Sequence, residues 1–217
     1  MVEKHISTIP VHRNGHMKRE QILEAAHRHF SHYGFSKVTM NEIAAELGMG
    51  KASLYYYFPT KEELFQAVLT AKHEEFLRQI AAVMQKDLPS SRKIRTYVGM
   101  RMDYFREVMN LNLVDFQYWQ SIRPHLKTTF RKLAQKEQQM LGQIMADGVR
   151  AGEFRIRSIE KTAHALFQIM RGLRCQFIRG IEGPQVETAE LFALKREMMF
   201  IADIFIRGMA ESVGRKK

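Results

Sequence analysis

Apolar residues recur every three or four positions along nearly the whole chain, and that period predicts helices from one end to the other. After Met17, residues Ile22, Ala26 and Phe30 are spaced by four, with Leu23 beside them, Tyr33 at the end and Gly34 placed as a helix stop. Thr39-Met-Asn-Glu42 reads as a capping box that opens a short helix with Ile43, Ala44 and Leu47 inward and Gly48 at its end. A second short helix is expected from about Lys51 to Phe58. Pro59 and another capping box, Thr60-Lys-Glu-Glu63, then start a long helix through about Lys86.

The remainder follows the same period. Ile94, Val98, Met102 and Phe105 mark a helix over 91–109, and an aromatic cluster of Phe116, Tyr118 and Trp119 lies within 112–122. A long helix is expected after Pro124, carrying Phe130, Leu133, Met140, Leu141, Ile144 and Met145 as far as Gly152. Ser158 caps the next, with Ala163, Leu166, Phe167, Met170, Leu173 and Phe177, and Thr188 caps the last, which runs to about Glu211. No valine-rich alternating run of the kind a strand requires is present, so the fold class is all-α. Residues 1–15 mix Pro, Gly, His and Ser without periodicity and predict a mobile arm.

The last helix is apolar on more than one side. Leu191, Leu194, Met198, Ile201 and Phe205 occupy one face, and Phe192, Met199, Ala202, Ile206 and Met209 fill much of the rest. Such a helix must be buried on two sides. Residues 163–178 share the trait, and two such helices from each of two chains would form an intermolecular four-helix bundle. A homodimer is therefore expected, with deep burial inside a monomeric bundle as the alternative.

The segment Thr39–Lys61, TMNEIAAELGMGKASLYYYFPTK, is a short helix, a glycine-containing turn and a second short helix, which is a helix-turn-helix pattern. Leu54 and Phe58, four apart, can pack onto Ile43, Leu47 and Phe30. The opposite face then presents Lys51, Ala52, Tyr55 and Tyr56, with Ser53 and Tyr57 flanking. Three consecutive tyrosines cannot all be core, because each buried hydroxyl needs a partner. On a DNA-facing helix their hydroxyls can donate to phosphates while the rings touch sugars and thymine methyls. Gly50 and Ala52 leave room for close entry into the major groove, and Lys51 can reach guanine O6/N7 or a phosphate. Tyr57 can alternatively pack in part against the first helix.

IAAELGMGKASLYYYFPTKEELF resembles the tetracycline-repressor (TetR) family, whose signature is a glycine turn and a short recognition helix ending in tyrosine-rich residues, Phe and a lysine. The resemblance is close over about Met17–Leu69; beyond it only length and helix pattern agree. It implies a homodimer on a palindromic double-stranded DNA operator, most often a repressor released by a small molecule. Carried over by position, it implies that Thr39 caps the second helix and touches a phosphate, and that Lys51, Ala52 and Ser53 face base edges. Tyr55, Tyr56 and Tyr57 would then hold backbone and thymine methyls, and Lys61 would pair with a phosphate. The resulting division is a head, residues 1–65, that binds DNA, and a body, residues 66–217, that binds an effector and dimerises.

Charge refines this picture. The chain has 217 residues and a net charge of +11, but residues 1–65 hold eight Lys and Arg against seven Asp and Glu. A head with so little excess charge must bind nucleic acid through a few placed groups rather than a broad cationic field. Lys4, Arg13, Lys18 and Arg19 are candidates to add contacts. A single cysteine, Cys175, excludes an intramolecular disulfide, and no apolar run suits a signal peptide or a membrane span, so a cytoplasmic protein is expected.

Other patterns are weaker. Six of nine histidines precede residue 33, but His29 and His32 lack a converging third ligand, and a polar face near phosphate suits them better. His73-Glu74 begins like a zinc-binding HExxH motif, yet residue 77 is leucine. No metal, cofactor or catalytic constellation is expected. In the body, Phe105, Met109, Phe116, Tyr118, Trp119, Phe167 and Met170 are candidates to line an effector pocket, with Arg101, Arg171 and Arg174 as a clamp for an anionic group. A lipophilic ligand, such as a fatty-acid or acyl-thioester compound, fits that set. Ordinary core packing for the apolar residues, and salt bridges or a solvated face for the arginines, are the competing readings. A helical protein that binds a ligand or partner and keeps the helix-turn-helix only as scaffold is the alternative for the whole chain.

Overall fold

The computed structural model describes residues 11–110, 116–180 and 188–214, with side chains described except at 11–15, 110, 116–127, 129 and 211–214. Among the described residues the structure is helical without strands: α1 (Val11–Tyr33), α2 (Met40–Glu46), α3 (Lys51–Tyr57), α4 (Lys61–Met84), α5 (Ser90–Asn110), α6 (Phe116–Arg150), α7 (Ile159–Arg179) and α8 (Thr188–Gly214). The chain divides into two compact units, Met1–Leu69 and Thr70–Lys217, and α4 continues across the division.

In the first unit the four-spaced residues of α1 do what their period implies. Ile22, Ala26 and Phe30 are wholly buried, together with Ile43, Leu54 and Leu64 from the next three helices. Three aromatic rings form its centre. Phe65 meets Phe30 edge-on at 5.2 Å and Phe35 at 4.8 Å, geometries that put ring edges against ring faces. Gly34 and Gly48 take φ of +81° and +59°, the left-handed backbone that ends α1 and α2 and turns the chain back onto this core. Both capping boxes lie where expected, and the first is complete: the Thr39 hydroxyl accepts from the Glu42 amide at 3.3 Å while the Thr39 amide donates to the Glu42 carboxylate at 2.7 Å.

The second unit packs α5 against α6 and α8, and α7 against α6 and α8, around one continuous apolar core that includes Phe76, Ile94, Val98, Leu141, Met145, Leu166, Met170 and Met198. Its helix ends are tied by side chains. The Glu153 carboxylate accepts from the backbone amides of Ser90 and Ser91 at 2.6 and 2.9 Å, satisfying two free donors at the start of α5. Lys93 donates to the Met84 carbonyl, the last of α4, at 2.8 Å.

Two boundaries differ from expectation. Helix α1 begins at Val11, so residues 11–15 are helical rather than part of an arm, while residues 1–10 lie outside the described residues. Once Ile22–Phe30 fixes a helix, extending it through an aperiodic polar stretch costs little compared with nucleation. Pro124 does not open a helix but lies within α6, which starts at Phe116. A proline there forfeits one backbone hydrogen bond, and the long buried stripe that follows, Leu133 to Met145, offsets the loss.

Gly148 on α6 sits where a Cβ would lie 2.3 Å from the buried ring of Phe154 and 2.8 Å from Ser90 Cβ. Gly148→Ala should therefore destabilise the second unit by about 1–3 kcal/mol, as overpacking does. A thermal or urea melt of the purified variant checks this.

Candidate functional site

Helix α3 is only seven residues long and is held by two apolar groups, Leu54 and Phe58, both buried. Its other residues face outward except Tyr57. Lys51, Ala52, Ser53 and Tyr55 are exposed, Tyr57 is half-buried, and Tyr56 is 85% exposed. Tyr56 and Tyr57 meet edge-on with centroids 5.5 Å apart, and the Lys51 ammonium lies 5.7 Å from the Tyr55 ring centre, so the outward face is a preformed set of rings and donors. Lys18 of α1, Met49, Ala52, Ser53, Tyr56 and Tyr57 line a shallow groove of about 550 Å³ on this surface. Gly50 is the α3 N-cap with extended backbone and no side-chain cap, leaving the first amides of the helix open to a ligand. Arg19 does not add to this face as a free cation: its guanidinium covers the Phe58 ring at 4.9 Å. Lys4 lies outside the described residues, and so does the side chain of Arg13.

Two basic residues of this unit have partners within the chain. The Lys61 ammonium turns inward, donating to the Phe35 and Val38 carbonyls at 2.9 and 3.0 Å and covering the Phe35 ring at 4.2 Å. Burial lowers its pKa, with Glu62 and Glu42 pulling it back. Lys61 thus closes the α1–α2 turn onto the start of α4. His29 likewise points at Glu46, its Nε2 2.6 Å from the carboxylate, which also takes Arg28 at 2.6 Å. The Glu46 carboxyl is held below its usual range, chiefly by the Arg28 hydrogen bond. His29 therefore ties α1 to α2, whereas His32 stays exposed against Tyr33 at 4.4 Å. Thr39 is spent as the α2 cap, as expected, and remains exposed.

The second unit holds a buried polar cluster inside its apolar core. Glu137 of α6 is 1% exposed, and its carboxylate accepts from the Tyr97 hydroxyl at 2.7 Å and lies 2.8 Å from Nε of Arg101, both on α5. His73 of α4 approaches the other carboxylate oxygen at 3.7 Å, and Arg174 of α7 is buried within the same electrostatic neighbourhood. The rings of Phe76 and Tyr104 stack at 5.1 Å and carry the Arg101 guanidinium 5.6 and 5.1 Å from their centres. Burial pulls the Arg101 pKa down, but Glu137, Tyr97 and Tyr104 more than offset it and leave it raised. Burial and then Arg101 push Arg174 down to about 9, which still leaves it protonated at neutral pH. Burial raises Tyr104 to about 12 and Tyr97 well above the usual phenol range.

Of the expected pocket residues, the structure brings Arg101, Phe105, Met109, Phe167, Met170 and Arg174 into this one core. Arg171 is exposed and takes no part in the cluster. The side chains of Phe116, Tyr118 and Trp119 lie outside the described residues. A separate cavity of about 400 Å³ opens between α4 and α5, lined by Phe76, Tyr104 and the charged Lys72, Glu75, Asp103 and Glu107, and by none of the expected pocket residues. Glu137, Tyr97 and His73 were not anticipated. A signal existed: Leu133, Glu137 and Leu141 are spaced by four, so the carboxylate interrupts an otherwise apolar stripe. No group of three His, Cys, Asp or Glu side chains that could hold a metal occurs among the described residues.

The cluster has a consequence for stability. Burial lowers the His73 pKa from 6.5 to about 4, with Glu137 opposing the shift and Arg101 and Arg174 adding to it. The folded protein resists a proton that the unfolded chain accepts, so stability is full above pH 6.5 and falls as the pH drops from 6.5 towards 4. At about 1.4 kcal/mol per unit the loss approaches roughly 3 kcal/mol. His73→Phe should flatten that limb of the stability profile, measured by urea melts across this pH window.

Comparison with known proteins agrees with this geometry. The model of the family described as "Bacterial regulatory proteins, tetR family" matches residues 22–68, the span of α1 to α4 that builds the helix-turn-helix. The HTH-type transcriptional regulator YhgD of Bacillus subtilis is 24% identical over 153 residues, 70% of this chain and 80% of that protein. The HTH-type transcriptional regulator RutR of Escherichia coli is 33% identical over 90 residues, 42% of each chain. A crystal structure of a transcriptional regulator from Cytophaga hutchinsonii is 32% identical and superposes with a TM-score of 0.83, covering 89% of this chain and 98% of the other. The exposed tyrosine face on a helix-turn-helix, the all-α body and these likenesses identify the chain as a member of the TetR family of DNA-binding transcriptional regulators.

Proposed function

We propose that the protein is a cytoplasmic repressor that binds a palindromic operator as a homodimer and is released by a small lipophilic effector, with residues 1–65 as the reading head and 66–217 as the sensing and dimerising body. The observation that carries this reading is the outward face of α3, where Lys51, Ala52, Ser53, Tyr55 and Tyr56 are exposed above a base of Leu54 and Phe58. Lys51, Ala52 and Ser53 at the N-terminal end of α3 face base edges, with Gly50 leaving the backbone close to the groove. Tyr55, Tyr56, Tyr57 and the exposed Thr39 hydroxyl hold phosphates and sugars, and Lys18 adds a cation beside them.

The dimer reading draws support from α7 and α8. Leu191, Leu194, Met198, Ala202, Ile206 and Met209 turn into the body's core, while Phe192, Phe200 and Ile204 stay exposed at 53%, 66% and 52% on the opposite side, with Ile169 of α7 at 41%. Four large apolar groups left in water on two adjacent helices suit the isologous interface of a two-fold dimer. Such a dimer sets its two recognition helices roughly 34–36 Å apart, one turn of DNA. An effector that binds more tightly when that spacing is wrong lowers operator affinity by linkage, and α4, continuous in the chain from head to body, is the covalent route.

Selection of the full chain on random duplex DNA, followed by salt titration on the winner, tests the reading. A palindrome bound with a steep salt slope is expected, and recovery of no sequence by ligand-free protein would refute it. Tyr56→Ala should lower operator affinity at least tenfold with an unchanged melting profile, because that side chain is almost free of the protein. Lys61→Ala should instead lower the head's stability and DNA affinity together. Phe200→Glu should convert the dimer to monomer in sedimentation velocity and reduce operator affinity with it; a dimer that survives would place the interface elsewhere.

A further inference from the structure

The polar cluster of the body is charged out of balance. Two guanidiniums stand against the single carboxylate of Glu137, of which Arg101 pairs with it and Arg174 only senses its charge, and His73 is neutral at physiological pH. The donors are also in excess. Tyr97 and Arg101 both address Oε1 of Glu137, yet Nη1 of Arg101 and Nη1 of Arg174 are buried with no hydrogen-bond partner among the described residues. Arg174 is 5% exposed. A buried guanidinium with an idle N–H costs folding free energy, so a structure that retains one is arranged for an acceptor that arrives later.

The surroundings limit what that acceptor can be. Met170 lies one turn before Arg174 and Phe177 one turn after it on α7, and Phe105 lies one turn after Arg101 on α5. Phe105 and Phe177 meet edge-on at 6.1 Å, which joins the two helices on the apolar side of the guanidiniums. An acceptor reaching Arg174 must therefore carry an apolar body. One negative charge balances the cluster, whereas a dianion overshoots it. A carboxylate supplies two acceptor oxygens and no donor, the complement of a guanidinium fork.

We propose that Arg174, with Arg101 beside it, is the seat of a carboxylate, and that the body binds monoanionic carboxylic acids with an apolar chain or ring. This deepens the effector reading above and rests on it for the regulatory consequence, but the site itself does not depend on DNA binding. Glu137 then acts as a positioning residue: it holds Arg101 by an ion pair and so leaves Arg174 as the guanidinium with spare capacity.

The test uses the full chain and two pairs of probes, dodecanoate against dodecan-1-ol and 4-phenylbutyrate against 4-phenylbutan-1-ol, by calorimetric titration and thermal melts. The wild type should bind at least one acid tenfold or more tightly than its alcohol. Arg174→Met, which keeps an unbranched apolar stem but removes the guanidinium, should bring acid and alcohol to equal affinity, and Arg174→Lys should retain part of the preference. Ligand-free Arg174→Met should melt at or above the wild type, because it removes an unpaired buried charge. Equal affinity for acid and alcohol in the wild type overturns the proposal. So does a ligand-free Arg174→Met that melts several degrees lower, since that would mean Arg174 is already satisfied from within the chain. Operator binding by the ligand-free wild type is measured separately; its failure beside an intact acid preference sinks the regulator reading and leaves this site standing.

Discussion

Burying a carboxylate at Glu137 is the constraint around which the body is organised. An ionised group in an apolar interior is tolerated only with partners, and the partners come from two other helices: His73 from α4, and Tyr97 and Arg101 from α5. Each must arrive at one axial position and one rotation of its helix, so a single residue on α6 fixes the register of three helices. Apolar packing alone is more forgiving, because leucines and methionines slide past one another at small cost. A buried ion cluster of this kind rarely adds stability over an apolar substitute, so its retention argues for register or for binding. The imbalance of two guanidiniums to one carboxylate favours binding.

The head solves the opposite problem. Seven-residue helices do not persist in water on their own, because nucleation outweighs so few hydrogen bonds. Helices α2 and α3 exist because the Phe30, Phe35 and Phe65 rings and the buried Ile43 and Leu54 give them a surface to fold on. Lys61 and Glu46 then fasten the periphery, the one by two carbonyls and the other by Arg28 and His29. With eight basic and seven acidic side chains in residues 1–65, the exposed surface of α3 is made of tyrosines, small residues and Lys51, with Lys18 beside it. Hydroxyls and ring faces position a duplex without the long-range field that holds it to any sequence.

What was legible beforehand divides along the same physical line. Features set by neighbours in the chain were readable: the Thr39–Glu42 capping box, the glycine stops at 34 and 48, and the outward and inward faces of α3. Features set by groups distant in sequence were not. Nothing within α4 says that the ammonium of Lys61 will find the carbonyls of Phe35 and Val38, 26 and 23 residues earlier. Likewise His29 finds Glu46 only because α2 folds back, and Pro124 is carried inside α6 by the burial that lies beyond it. Arg101 and Arg174 were readable as charges in apolar stripes, but Arg171 carried the same local signal and faces away. Position within the helical turn separated them.

Helix α8 shows why that separation matters for assembly. Its expected partition assigned Ile201 and Phe205 to one face and Ala202, Ile206 and Met209 to the other, whereas the core stripe takes Leu191, Leu194, Met198, Ala202, Ile206 and Met209 from both sets. The residues left outside, Phe192, Phe200 and Ile204, fall with Arg196 at successive intervals of four and share one face. A stripe that combines large apolar groups with a flanking arginine is the composition of an interface core and its rim. The same helix therefore closes the body's interior on one side and offers a covering surface on the other. Any shift of α8 that accommodates a molecule beside Arg174 on the neighbouring α7 must be felt at the offered face as well, because one rigid helix carries both.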